Sequence, residues 1–457
     1  MAQKYTRSVA TNMVIANMIG TGIFTSLGYQ VMPSGIPDPF AILVIWLLGG
    51  IVSLCGATVY GEVATRINRS GGEYSFLSNI YHPLVGFVTG WISLFAGFSG
   101  AIAALALAAG AYFSPVLGLT NDPIVDFGIF SLTPGKIVAI VILALVALVH
   151  LRGIKFGGIF QNYMTYVKLL LIATFLVIPF LFMGSYTPSK ISFLPSEKTW
   201  DTIFSLPFAG SLVWVMFAYS GWNASTYIVG NLENPRKNLP YSLLVGTLVV
   251  TVIYVLLNFT FMYVATFDEL ELQVDLGNVV ANKILGDGVG IFFSLVFSLA
   301  LISGVSAMFI AAPRVAEQIG KDYYIFRVLG KQSEAGAPKP AIFFILIVSL
   351  LLVLFTSFDQ IIKYVSLLLT ISSILTVFGL FILRYRDRKN GSPSSPNVVK
   401  AWGYPVTPII FIAICCWMIS FFVSQDFSYI WWSLYTILPA IGVYFITRGM
   451  NKSNHSH

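Results

Sequence analysis

The stretch "NMIGTGIF", residues 17–24, lies in the middle of an apolar run that extends from about Val9 to Pro33. Each glycine inside a helix costs about 1 kcal/mol relative to alanine. Two glycines around Thr21 therefore predict a helix that is interrupted near its centre, although the run is long enough to cross a membrane. Glycine is also common where membrane helices pack closely, so this stretch alone leaves helix packing open as an explanation.

The composition indicates a polytopic membrane protein. The chain has 457 residues, of which 57% are hydrophobic and 10% are charged, against roughly 25% charged residues in a typical soluble domain. Runs of about 20 apolar residues suffice to cross a bilayer, and they predict twelve transmembrane helices. These lie near residues 9–32, 41–65, 84–112, 134–151, 158–183, 204–229, 240–266, 289–312, 340–357, 361–383, 406–424 and 428–447.

The distribution of basic residues predicts the orientation, because Lys and Arg concentrate in short cytoplasmic loops. Of the 26 Lys and Arg residues, four lie in loops on one side, two lie within spans, and the other 20 lie on the side of the termini. The four are Lys136, Lys190, Lys198 and Lys283, and the two are Lys168 and Lys363. We expect a multi-pass protein of the plasma or bacterial inner membrane with both termini cytoplasmic. The net charge of +7 reflects this bias and predicts no nucleic-acid partner.

The sixth predicted span contains a second stretch of small residues, "FAYSGWN" at 217–223, five spans after the first. Transporters built from inverted repeats break helices at corresponding positions of their two halves. The pair predicts one transmembrane domain over residues 1–457. Its first repeat would cover about 9–183, its inverted second repeat about 204–385, and two additional helices about 406–447.

Broken helices have a chemical use at this depth. Irregular backbone inside a bilayer is tolerated only where protein buries it or where it lines a watery cavity. The N–H groups that begin a half-helix attract a carboxylate, and the C=O groups that end one attract an ammonium. A free α-amino acid carries both groups on neighbouring atoms. The breaks therefore predict a site where the backbone binds a small zwitterion, with the Thr21 hydroxyl beside it.

Four stretches together resemble the amino acid, polyamine and organocation transporter superfamily, and within it the L-type amino acid exchangers and bacterial amino acid permeases. They are "NMIGTGIF", "GGEYSFL" at 71–77, "FAYSGWN" and "ENPRKNLP" at 233–240, and they occur in the family's order. The resemblance covers about residues 5–400. It implies an all-α fold in which helices 1 and 6 are unwound at mid-membrane around one substrate site.

The resemblance also implies the residues of that site. Backbone amides of Gly20, Thr21 and Gly22 would hold the substrate carboxylate. The ammonium would lie against the carbonyl groups of Met18, Ile19, Phe217, Ala218 and Ser220. Phe217 matches an aromatic residue that closes the site as a gate, and Asn223 matches a polar residue close to it. Ordinary core packing remains an alternative for Phe217, because the chain contains 37 phenylalanines.

Lys168 lies about ten residues into the fifth predicted span, within "NYMTYVKLLLIATF". A charged side chain at this depth is costly and is a hypothesis of function by default, although a long lysine can also extend to an interface. In related transporters a sodium ion links spans 1, 5 and 8, and sodium-independent members have a lysine there. The resemblance implies that Lys168 supplies a fixed charge near the first break, with proton carriage as an alternative.

The expected substrate is a neutral L-amino acid. No Asp or Glu lies in the interior of spans 1, 3, 6, 8 or 10, and a buried cationic substrate would need one. We expect sodium-independent transport by alternating access, with exchange favoured by the resemblance. A proton-coupled symporter and a non-transporting amino acid sensor remain alternatives.

The sequence predicts neither an enzyme nor a metal or cofactor site, because it places no cluster of His, Cys, Asp or Glu on neighbouring spans. Cys55, Cys415 and Cys416 all lie within predicted spans. We therefore expect no disulfide-linked partner subunit, and the expected partners are the amino acid and the lipid bilayer.

Overall fold

The computed structural model describes residues 3–119, 122–126, 131–273, 275–286, 290–355, 358–391, 398–425 and 428–454. These residues are nearly all helical. The helices are α1 (Arg7–Met18), α2 (Gly22–Gln30), α3 (Pro39–Ile67), α4 (Glu73–Ile80), α5 (Pro83–Ile92), α6 (Ser99–Val116), α7 (Pro134–Leu151), α8 (Ile154–Leu181), α9 (Thr199–Ile203), α10 (Leu206–Ala218), α11 (Pro235–Val264), α12 (Phe267–Leu270), α13 (Leu276–Leu285), α14 (Gly290–Asp322), α15 (Lys339–Phe355), α16 (Phe358–Lys389), α17 (Val406–Gln425) and α18 (Ser428–Asn454). A π-helix covers Ser93–Phe98, and 3₁₀ helices cover Ala224–Asn231 and Tyr324–Phe326.

Besides the predicted helices, the described residues contain two short strands. β1 (Val125–Asp126) and β2 (Ser131–Leu132) pair antiparallel between α6 and α7, with Val125 opposite Leu132. The Ile124 amide also donates to Leu132 O at 2.8 Å. Strands of two residues do not alter the helical architecture.

Seven of the described helices are long and apolar enough to cross a membrane, and three further apolar helices are shorter. The seven are α3, the continuous segment Pro83–Ser114, α7, α8, α11, α14 and the part of α16 from Leu367; the shorter ones are α10, α15 and α17. The protein is therefore a polytopic helical membrane protein. The predicted bounds at residues 1, 289, 357 and 457 lie outside the described residues, and the count of twelve spans stays a prediction.

The first break separates α1 from α2. The Thr6 hydroxyl caps α1 by accepting from Val9 N at 3.4 Å, and Ile19 leaves the helical conformation with ψ of 88°. α2 then begins at Gly22, where an added Cβ would lie 2.9 Å from Ala218 Cα. The two broken segments therefore meet backbone to backbone, and only glycine fits at residue 22.

The second break follows α10. The turn after Ala218 contains Gly221, whose φ of +95° is one that residues with a side chain rarely adopt. An added Cβ there would lie 2.9 Å from Asn17 Cβ and 3.0 Å from the Asn17 carbonyl carbon. The second break thus packs directly on the end of α1, although the two lie far apart in sequence.

The long helices form a wall around the two breaks. α1 packs against α8, α11 and α14, and every residue from Asn12 to Ile19 is buried. α3 packs along α11, α6 packs along α14, and α17 packs on α3, α10 and α16. The interrupted helices therefore occupy the centre of the protein, where their irregular backbone is shielded from lipid.

Gly22→Ala should destabilise the protein, because the new Cβ would meet the Ala218 backbone at 2.9 Å and overpacking costs about 1–3 kcal/mol. The control is Gly442→Ala on the exposed side of α18, where nothing lies within 4 Å of the new Cβ. Thermal unfolding of the purified variants measures the difference. Equal stabilities would contradict the close contact between the breaks.

Candidate functional site

Two adjoining cavities lie between the broken helices. The smaller has a volume of about 70 Å³ and borders both breaks, and the larger, of about 160 Å³, extends toward α16 and α17. Both are lined by Asn17, Ala101, Phe217, Ser220 and Met308. The remaining wall of the smaller cavity consists of Met18, Gly20, Thr21, Gly22, Ala104, Leu105 and Ala218. The structure thus brings seven of the nine predicted substrate residues to one cavity, and the other two are Ile19 and Asn223.

The start of α2 faces the smaller cavity through Gly20, Thr21 and Gly22. The first amides of a helix have no acceptor within that helix, and the helix dipole adds partial positive charge there. The Gly20 amide donates to Met18 O at 2.9 Å. The amides of Thr21 and Gly22 are therefore better placed than that of Gly20 to bind an anion.

Lys168 on α8 reaches the end of α1. Its side chain is fully buried, and Nζ donates to Ile19 O at 2.7 Å and to Ala16 O at 3.3 Å. No ion pair joins it to an acidic side chain within the described part of the chain. Carbonyl dipoles at the C-terminal end of α1 compensate its charge instead. The role of Lys168 as a fixed charge near the first break, or as a proton carrier, stays a prediction.

Tyr254 on α11 joins the two breaks. Its hydroxyl lies within hydrogen-bond distance of Met18 O and, at 2.8 Å, of Ala218 O. The ring is fully buried against Trp46 and Tyr219. Because a hydroxyl has one proton, it donates to one carbonyl at a time. Sequence reasoning missed this residue, since a tyrosine in an apolar span gives no local signal for a long-range bond.

Four of the five carbonyl groups predicted to face an ammonium have a hydrogen-bond donor of the protein beside them. Met18 O and Ala218 O meet Tyr254, Ile19 O accepts from Lys168, and Phe217 O accepts from Ser220 N at 3.0 Å. A carbonyl oxygen has two lone pairs and can accept a further bond. An ammonium in the cavity would therefore share these acceptors with the protein.

Phe217 lies at the junction of the two cavities. Its side chain is half-buried and borders both of them. A ring at this position limits the passage from one cavity to the other, and its action as a gate stays a prediction.

Asn223 and Glu73 meet on the wall of the larger cavity. The Asn223 side-chain amide donates to Glu73 Oε1, so its donor is engaged by α4. The sequence has no Asp or Glu in the interior of spans 1, 3, 6, 8 or 10, and "GGEYSFL" contributed to the family resemblance without a predicted role at the substrate site. The structure brings its glutamate to the cavity from outside those spans. The signal was an acid at the start of a buried amphipathic helix, and only the tertiary contact shows where it lies.

The π-helix between α5 and α6 forms another part of this wall. Ser93, Gly97 and Phe98 from this segment line the larger cavity. π-Helical turns inside α-helices occur frequently at functional sites.

The metal-ligating side chains and the thiols of the described residues form no second site. Over residues 3–454, excepting the gaps stated above, no group of three or more His, Cys, Asp or Glu side chains could hold a metal ion. The thiols of Cys55 and Cys415 are buried, and that of Cys416 is exposed on α17. The site that the sequence and the structure both single out is the pair of cavities between the breaks.

The chain matches a family model described as amino acid permease over residues 7–446. It is 26% identical over 417 residues to the serine/threonine exchanger SteT of Bacillus subtilis (strain 168), covering 88% of this chain and 87% of that protein. It is 26% identical over 393 residues to the human b(0,+)-type amino acid transporter 1, covering 85% and 77%. Mouse large neutral amino acids transporter small subunit 2 is 25% identical over 447 residues, covering 96% and 79%.

Tyr254→Phe should lower the free energy of unfolding by about 1–3 kcal/mol, because it deprives two buried carbonyls of a shared donor. The matched control is Tyr163→Phe, at a 63% exposed position on α8. Chemical denaturation in detergent, followed by tryptophan fluorescence, compares the two. If Tyr254→Phe had the same free energy of unfolding as Tyr163→Phe, the Tyr254 hydroxyl would not stabilise the contact between the breaks.

Proposed function

The chain belongs to the amino acid permease family, and from this premise we propose that it exchanges neutral L-amino acids across the membrane without sodium. The observation that carries the proposal is the smaller cavity, which is lined by residues from both breaks. A zwitterion placed there would meet helix-start amides on one side and helix-end carbonyls on the other. Alternating access would open this cavity to each side of the membrane in turn.

The membrane arrangement proposed for this function has twelve spans. α1 with α2 forms the first, α5 with α6 the third, and α10 with the following 3₁₀ helix the sixth. Repeat one covers about residues 9–183, the inverted repeat two about 204–385, and α17 and α18 are additional helices within one domain. Both termini lie in the cytoplasm of a cell whose plasma or inner membrane contains the protein.

The substrate carboxylate would bind the amides of Gly20, Thr21 and Gly22, with those of Thr21 and Gly22 contributing most. The ammonium would bind the carbonyls of Met18, Ile19, Phe217, Ala218 and Ser220, and it would share the first four with donors of the protein. Phe217 would close over the substrate. Asn223 would act through Glu73, because its side-chain donor is engaged there.

A neutral side chain fits the surroundings of this position. The larger cavity is lined by apolar residues that include Val213, Met216, Leu367, Phe411 and Met418. Burying apolar area of a substrate against such a wall contributes about 25 cal/mol per Å². Two relatives carry names that refer to serine and threonine and to large neutral amino acids.

Independence from sodium is supported by Lys168. Its ammonium donates to Ala16 O and Ile19 O of α1, as a bound monovalent cation would contact carbonyl oxygens. While Lys168 is protonated, its charge would support the first break without an added ion.

Exchange, rather than net uptake, is favoured because a relative is named as an exchanger. We expect radiolabelled leucine or alanine to enter proteoliposomes much faster when unlabelled amino acid is inside than when the vesicles are empty. The assay is done in sodium-free buffer at equal pH on both sides. Uptake into empty vesicles driven by a pH gradient would instead establish a symporter, and binding without uptake would establish a sensor.

Lys168→Ala should slow exchange by at least about tenfold, since hydrogen bonds from a charged group contribute about 1.5–3 kcal/mol each and two are removed. Lys155→Ala, at an exposed position of the same helix, is the control and should exchange at the wild-type rate. Size-exclusion chromatography establishes that both variants are folded. Wild-type exchange by Lys168→Ala at every pH would remove Lys168 from the mechanism.

A further inference from the structure

Glu73 is a buried acid beside the larger cavity. It is the first residue of α4, the residue is 4% exposed, and it lies outside the helices that are long and apolar enough to cross the membrane. The preceding Gly72 has a φ of +54°, and an added Cβ there would lie 2.3 Å from a Tyr227 ring atom. This close contact brings the tyrosine against the start of α4, where its hydroxyl meets the carboxylate.

Three neutral donors surround the Glu73 carboxylate. Tyr60 OH on α3 donates to Oε1 at 3.0 Å, the Asn223 amide also donates to Oε1, and Tyr227 OH donates to Oε2. No Lys, Arg or His among the described residues forms an ion pair with it. Burial therefore raises the pKa of Glu73 above the ordinary value for a glutamate.

The charged groups on the neighbouring elements are engaged elsewhere. Arg66 and Arg384 bind Glu62, and Arg69 binds Asp322. His82 lies at the exposed start of α5, and on α16 the groups that face Tyr60 are the hydroxyls of Ser373 and Thr376. The titratable groups in contact with Glu73 are thus two tyrosines, which are neutral near pH 7.

The cavity gives this carboxylate a variable environment. Glu73 lines the larger cavity together with Asn17 and Ser220, which also line the smaller one. Water that fills an open cavity can solvate a carboxylate, whereas a closed cavity cannot. Burying an ion without a counter-charge is unfavourable, and binding a proton removes that unfavourable free energy.

We propose that Glu73 is a proton-binding site that takes up one proton each time the cavity closes and releases it when the cavity opens. The proposal rests on the proposed function, in which closure and opening are the steps of transport. An O–H bond forms between a Glu73 oxygen and a proton from cavity water, and on release the proton returns to water. The protonated acid can donate to a tyrosine oxygen, which has free lone pairs. The proton accompanies substrate in both directions, so exchange at equal pH moves none net.

Infrared spectroscopy of the purified protein tests proton binding without requiring transport. The C=O stretch of a protonated carboxylic acid should persist at pH values well above about 4.3, the ordinary value for glutamate. The band should be weaker in Glu73→Gln by the contribution of one carboxylic acid, and it should be unchanged in the control Glu334→Gln, whose side chain is exposed. Identical spectra of wild type and Glu73→Gln from about pH 4 to about pH 8 would overturn the proposal.

The pH dependence of leucine exchange, measured at equal pH on both sides, tests the coupling. The wild-type rate should fall at least about tenfold as the pH rises through the raised pKa, because the ionised acid opposes closure. Glu73→Gln should abolish this dependence. Tyr227→Phe removes a donor that favours the ionised form, so it should raise the pKa and move the midpoint to higher pH.

Two results of this assay would overturn the proposal. One is a wild-type pH dependence in Glu73→Gln, and the other is exchange of lysine or arginine that requires Glu73, which would make the carboxylate a partner for a cationic substrate. If the wild type exchanges no neutral amino acid, the proposed function fails, and the infrared titration still decides whether Glu73 binds a proton.

Discussion

The hydrogen bonds that Lys168 and Tyr254 make to the ends of α1 and α10 are the interactions on which the rest of the structure depends. A bilayer offers no water to backbone groups, so an interrupted helix survives there only if protein supplies the missing partners. Lys168 supplies them to Ala16 and Ile19, and Tyr254 reaches Met18 and Ala218. Both breaks are thereby tied to long, unbroken helices, α8 and α11.

Close packing between the two breaks adds to the stabilisation that these hydrogen bonds provide. Gly22 meets the Ala218 backbone and Gly221 meets Asn17, so the two unwound segments touch each other as well as the wall. The packing explanation of "GTG" and the binding explanation are therefore compatible. Gly22 is required by the contact, whereas an added Cβ at Gly20 would meet Leu105 only at an ordinary 3.5 Å. Within "GTG", Gly22 makes the contact between the breaks, and Gly20 and Thr21 line the smaller cavity.

The buried glutamates Glu62 and Glu73 differ in their partners. Glu62 accepts from Arg66 Nε at 3.0 Å, Arg384 Nε at 3.1 Å and Ala401 N at 2.7 Å. Such a network compensates the desolvation of each ion and fixes the ends of α3 and α16 relative to each other. Glu73 has neutral partners instead. A carboxylate with cationic partners keeps its charge when water leaves its surroundings. A carboxylate with neutral partners favours binding a proton under the same conditions.

The sequence by itself determined the helical class, the positions of the apolar helices and both breaks, because hydrophobic period and glycine content are local properties of the chain. It also singled out Lys168, since one charge in an apolar run is visible without a structure. Only the tertiary structure decided that Tyr254 joins the breaks, that Asn223 donates to Glu73 and that Glu73 borders the cavity. These contacts join residues about 36 to 236 positions apart, and the spacing of residues along one chain carries no information on which distant side chains meet.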